Sequence, residues 1–127
     1  MLQPQGFIAE NQPHVVCRLK KALYGLKKAS RAWYQLLASF LVTNGFHCSS
    51  SDTSLFVLKT GADLILLIVY VDDIIIIGSS TTLITDLLDK MKSQFDVKVW
   101  GKLHYFLGLE IEYKPDGGLF LHQTKYA

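Results

Sequence analysis

The chain has 127 residues, half of them apolar, with a net charge of +2. That is enough for one hydrophobic core, too little for two ordinary domains, and too apolar for a disordered tail. The charge is uneven: residues 1–50 carry six Lys/Arg against Glu10 (+5), and the remainder carries seven against ten acids (−3). A basic part beside an acidic one suits a polyanion track next to a cation site, although solvated surface is the commoner meaning of such clusters.

In chain order, residues 1–13 contain Pro4, Gly6 and Pro13 and read as irregular. Val15–Lys20 alternates like a strand, and Leu23-Tyr24-Gly25-Leu26 is a break. Ser30 is a candidate N-cap for a helix to Asn44, with Trp33, Leu36, Leu37, Phe40 and Leu41 as its apolar stripe and Gly45 as its stop. Trp33 reads as core more readily than as a base-stacking ring. Tyr34 is a second stacking candidate. Ser49–Asp52 is a loop, Leu55–Lys59 a strand, and Thr60-Gly61-Ala62-Asp63 a hairpin turn.

Leu64–Tyr70 and Ile74–Ile77 are apolar strands without polar alternation, which suggests burial on both faces. The run between Leu64 and Ile77 is too short for a membrane helix, which needs about 20 residues, and it is split by two acids. Gly78-Ser79-Ser80 ends the hairpin and offers a cap. The next helix spans Thr81–Phe95, with Leu83, Ile84, Leu87, Leu88, Met91 and Phe95 inward. Leu103–Tyr113 reads as a strand interrupted by Gly108. Pro115-Asp116-Gly117-Gly118 is a turn into Leu119–His122. The fold class expected is α+β, an antiparallel sheet packed on one side by two helices.

Cys17 and Cys48 have no metal or redox spacing and read as small buried residues. With no secretory signal visible, a reduced intracellular compartment is the default. His14, His47, His104 and His122 show no ligand spacing.

The chemistry-bearing feature is Tyr70-Val71-Asp72-Asp73. Two adjacent carboxylates interrupt an apolar run, and a charge in a dry site must be paired or bind a cation. Clamped at a β-turn, Asp72 and Asp73 could hold divalent ions for phosphoryl transfer, with magnesium suited to hard oxygen ligands. On these four residues alone, a solvent-facing Asp-Asp turn is an equal reading.

The tetrapeptide between apolar strands resembles the signature of reverse transcriptases. Four further blocks resemble the copia-type (pseudoviral) LTR-retrotransposon enzymes in their order: Met1–Phe7, Arg18–Tyr34, Leu103–Ile111 and Leu121–Ala127. This resemblance covers essentially the whole chain.

It implies a partial, palm-like reverse transcriptase domain. Residues ~1–45 would be a fingers/palm segment, ~46–113 palm with the Asp72–Asp73 hairpin, and ~114–127 the start of a following segment. Asp72 and Asp73 would be catalytic and bind Mg2+ or Mn2+. Tyr70 would pack near the primer end. Tyr24, Gly25, Lys27 and Lys28, with Arg18, Lys20 and Arg31, would contact template and nucleotide. Phe106, Leu107, Gly108 and Leu109 would form a primer grip.

The implied partners are an RNA or DNA template-primer, deoxynucleoside triphosphates and the rest of a polyprotein (upstream strand, thumb, RNase H), with no membrane. The implied setting is a cytoplasmic virus-like particle or the nucleus. Lys28, Ser30 and Gln5 stand where the family has Gln, Pro and Pro, and none of these removes a catalytic group. The family's third carboxylate belongs on a strand before Gln3, where this sequence has no acid. The expectation is therefore of a domain piece inactive alone. A non-catalytic nucleic-acid-binding remnant or a pseudogene product is the alternative.

Overall fold

A computed structural model describes residues 1–18, 20 and 29–124. It contains α1 (Ala29–Thr43), β1 (His47–Cys48), β2 (Leu55–Thr60), β3 (Asp63–Tyr70), β4 (Asp73–Gly78), α2 (Thr81–Gln94), β5 (Tyr105–Phe106), β6 (Leu109–Tyr113) and β7 (Leu119–His122). The class is α+β. The strands form two antiparallel sheets, a four-stranded one in the order β1-β2-β3-β4 and a three-stranded one in the order β5-β6-β7. The chain divides into two compact units, Met1–Leu58 and Lys59–Ala127.

In the first unit, residues 15–18 form no strand, contrary to the alternation at Val15–Lys20. Val15 and Val16 are exposed, and the amide of Cys17 donates to the carbonyl of Met1 instead of to a ladder neighbour. The Gln3 side chain ties this segment together. Its Nε2 donates to the carbonyls of Gln12 (3.0 Å) and Val15 (2.7 Å), and its Oε1 accepts from the amide of Ala9.

Helix α1 starts at Ala29, so Ser30 lies inside the helix rather than capping it. Its end follows a Schellman pattern: Gly45 at φ 90 donates to the Val42 carbonyl, and Phe46 donates to that of Leu41. Phe46 after this wrap is buried, as are Leu37, Phe40 and Leu41 on α1 and Phe56 on β2. Leu36 is exposed and Trp33 only half-buried, so the inward stripe of α1 is narrower than its apolar residues suggest. Cys17 and Cys48 are both exposed, not buried.

In the second unit, β3 buries one face only. Ile65, Leu67 and Val69 are buried, whereas Leu66 and Ile68 are half-buried and Leu64 and Tyr70 exposed. Burial on both faces is therefore not what these strands have. Directly opposed residues share a face, so Ile65, Leu67 and Val69 lie with Gly78, Ile76 and Ile74, while Leu66, Ile68 and Tyr70 lie with Ile77, Ile75 and Asp73.

Helix α2 is capped by Ser80, whose hydroxyl accepts from the Leu83 amide, and it buries Leu87 and Met91. Gly78 admits this helix. A Cβ there would stand 3.1 Å from Ile65 Cγ1, 3.2 Å from Ile84 Cδ1 and 3.2 Å from the Leu64 carbonyl oxygen. Gly78→Ala is expected to destabilise the chain by about 1–3 kcal/mol, read as a lowered denaturant midpoint at unchanged slope.

Leu103–Tyr113 is not one interrupted strand. Leu107 (φ 51) and Gly108 (φ 84) reverse the chain, pairing Phe106 with Leu109 and Tyr105 with Glu110. Two positive φ values in a two-residue loop are the mark of a type I′ turn. The turn at 115–118 closes as expected, with the Lys114 amide donating to the Gly118 carbonyl and Tyr113 opposite Leu119.

Candidate functional site

The run from Leu64 to Ile77 folds into β3, a two-residue reversal at Val71-Asp72, and β4. Asp73 is the first ladder residue of β4 and stands opposite Tyr70, the last of β3. Asp72 sits in the reversal itself. Both carboxylates are exposed, so the reasoning from a buried charge does not describe them. They sit at the wet end of an apolar hairpin. Val71 between Tyr70 and Asp72 takes φ 50, a left-handed conformation that a β-branched residue rarely adopts.

Two carboxylates at a hairpin tip are hard oxygen donors open to solvent. This matches magnesium, which keeps part of its water shell and takes one or two carboxylates plus substrate phosphates. Among the described residues no group of three or more His, Cys, Asp or Glu is arranged to hold a metal ion. The described residues bring two acids, Asp72 and Asp73, to this tip.

Of residues 106–109, Phe106 reaches this hairpin. The Tyr70 and Phe106 rings meet edge-on, with centroids 6.1 Å apart and planes at 77°. Phe106 is half-buried, while Leu107 and Leu109 are exposed. The basic candidates lie in the other unit: Arg18, Lys20 and Arg31 are exposed there. Tyr24, Gly25, Lys27 and Lys28 lie outside the described residues.

Tyr34 is committed to packing rather than offered for stacking. Its hydroxyl donates to the Thr53 carbonyl at 2.5 Å, and its ring lies against Phe56 at 6.3 Å. Burial, and then the neighbouring Cys48, push its hydroxyl pKa above the usual 10. Because the folded value is raised, the contribution is complete below pH 10 and is lost as pH rises through the folded value. Tyr34→Phe is expected to cost about 0.5–1.5 kcal/mol at neutral pH and to flatten the alkaline loss of stability, both read from denaturant titrations at pH 7 and above 10.

One cluster escaped the sequence reading. His122 lies opposite Glu110 in the β6–β7 ladder, with Nδ1 3.6 Å from Glu110 Oε2 and 2.6 Å from Thr124 Oγ1. Its Nε2 is 3.3 Å from Glu112 Oε1, and its ring stacks on Phe120. Sequence spacing does not display it: a turn confined to Pro115–Gly118 would set position 122 opposite 111, whereas the ladder pairs Tyr113 with Leu119 and so His122 with Glu110.

No helix among the described residues is long and apolar enough to cross a membrane. The family model described as reverse transcriptase (RNA-dependent DNA polymerase) matches residues 1–127. The chain is 52% identical over 126 residues to the retrovirus-related Pol polyprotein from transposon RE1 of Arabidopsis thaliana, covering 99% of this chain and 8% of that polyprotein. It is 52% identical over 127 residues to the corresponding polyprotein from transposon RE2 of the same plant, covering 100% of this chain and 9% of that polyprotein. To the polyprotein from transposon TNT 1-94 of Nicotiana tabacum it is 36% identical over 128 residues, covering 99% of this chain and 10% of the relative. The chain thus spans a tenth or less of the length of these relatives. No solved structure matches it.

Proposed function

Because the chain belongs to the reverse transcriptase (RNA-dependent DNA polymerase) family and is a segment of the copia-type Pol polyproteins, we propose that it supplies the Asp72–Asp73 tip of that enzyme's nucleotidyl-transfer centre. The observation that carries this reading is the exposure of two successive carboxylates at the reversal of one apolar hairpin.

Reverse transcriptases use a divalent metal. In our reading Asp72 and Asp73 would hold magnesium or manganese, with the third carboxylate coming from polyprotein sequence outside these 127 residues. When bound, such an ion neutralises charge on the transferring phosphoryl group. The chain's own residues do the rest. The hairpin ladder fixes Asp73 opposite Tyr70, with Asp72 beside it in sequence at the reversal, and the half-exposed Tyr70 would lie near the primer end. Arg18, Lys20 and Arg31, with Lys27 and Lys28, would attract the phosphates of the template-primer without reading its sequence. The substrates are deoxynucleoside triphosphates and a primed RNA or DNA template. The remaining polyprotein domains complete the groove.

The test is primer extension on an RNA template by the polyprotein-length protein. Incorporation is expected only with Mg2+ or Mn2+, to stop with chelator, and to return when the metal is restored. Extension that persists in excess chelator would overturn the proposal.

A further inference from the structure

Among the described residues, two non-glycine positions have positive φ: Val71 at 50° and Leu107 at 51°. Each occupies the first position of a two-residue hairpin reversal. Each carries an exposed apolar side chain, and each directly follows an aromatic residue. Those two aromatics, Tyr70 and Phe106, are the pair that meets edge-on. Bulky residues stay in this backbone region only where their surroundings over-determine them, and such strain gathers at working sites.

Tyr70 is 48% exposed, so packing encloses only part of it and its rotamer is not fixed by burial. Tyr70 and Asp73 are directly opposed on one face, a separation of about 5 Å between Cβ atoms in such pairs. A ring that swung toward Asp73 would approach its carboxylate. The T-shaped contact with Phe106 opposes that swing by about 0.5–1.5 kcal/mol.

We propose that Phe106 is a positioning residue for the Asp72–Asp73 tip: its ring fixes Tyr70, and Tyr70 in turn limits where the Asp73 carboxylate can stand. Phe106 need not touch the primer, the nucleotide or a metal to do this. The inference rests on the catalytic reading of Asp72 and Asp73 and assigns a regulator of their geometry within the chain itself.

Two measurements test it. In the 127-residue chain with 3-fluorotyrosine at position 70, the 19F resonance is expected to move in Phe106→Leu, which keeps the apolar bulk and removes the ring. It is expected to return close to its original position in Phe106→Tyr. A resonance indifferent to Phe106→Leu would overturn the contact and the proposal with it.

In the polyprotein-length enzyme, Phe106→Leu is expected to lower the single-turnover rate constant at saturating nucleotide by about two- to tenfold. It should also raise the magnesium concentration needed for half-maximal rate, and Phe106→Tyr should restore both. A residue that only supports folding would reduce the active fraction, seen as burst amplitude, and leave the rate constant and magnesium requirement unchanged. That outcome would refute the positioning role. The two readings fail separately. If Asp72→Asn and Asp73→Asn retain full activity, the catalytic assignment falls. If those variants are inactive while Phe106→Leu is normal, only the present inference falls.

Discussion

Asp73→Asn, in the polyprotein-length enzyme, is expected to lower the single-turnover rate of nucleotide incorporation by about 10³-fold, or roughly 4 kcal/mol of barrier. Asp72→Asn is expected to lose a similar amount. The size follows from what the amide removes. Asn keeps the shape of the side chain and one carbonyl oxygen, but it deletes the negative charge that would hold a cation against substrate phosphates.

The position of the residues makes the result interpretable. Both are exposed at the hairpin reversal, where an amide of the same shape remains solvated. Surface changes of this kind usually shift stability by less than about 0.5 kcal/mol. A melting curve like that of the parent, together with the rate loss, would separate chemistry from folding. Asp96→Asn, at an exposed acid outside helix and strand, is the control and should leave the rate unchanged. Retention of more than a third of the rate in both tip variants would remove the basis of the proposed function.

The tip was legible because its boundaries are chemical. Thr60–Asp63, Gly78–Ser80 and Pro115–Gly118 contain the Gly, Ser, Asp and Pro residues that turns and caps require, and all three mark real ends of elements. Ser80 as the cap of α2 follows from the same logic. The Leu107-Gly108 reversal was harder to see, because type I′ turns favour Asn-Gly or Asp-Gly and here a leucine holds the first position. A lone glycine in an apolar run reads as a bulge or a close approach.

Val15–Lys20 failed for the opposite reason. Alternation gives a segment a strand-like pattern but no partner, and here the amides of Val15 and Cys17 donate back to the carbonyls of Gln12 and Met1. Residue type alone suggests burial for Cys17 and Cys48 but says nothing of what packs above them, and both are exposed. The Glu110–Glu112–His122 cluster needed the ladder register of β6 and β7, which spacing in sequence does not display.

The one-sided burial of β3 is the feature that composition hid most completely, since leucine and isoleucine occupy both faces. It predicts an asymmetry between neighbouring, identical residues. Leu67→Ala is expected to destabilise the chain by about 2–5 kcal/mol, because Leu67 is fully buried and its deletion leaves a cavity against a packed core. Leu66→Ala, one position away on the half-buried face, leaves a space that water can enter. It should cost well under half as much, in the lower part of the roughly 0.5–3 kcal/mol range of ordinary substitutions.

Denaturant unfolding of both variants at equal slope decides the matter. Equal losses would mean that both faces are covered, and the exposed face carrying Tyr70 and Asp73 would then not be open to a substrate. An asymmetry of twofold or more would mean that β3 is anchored from one side. Its other side, with Leu66, Ile68, Tyr70 and Asp73, would be left as the surface on which the carboxylates work.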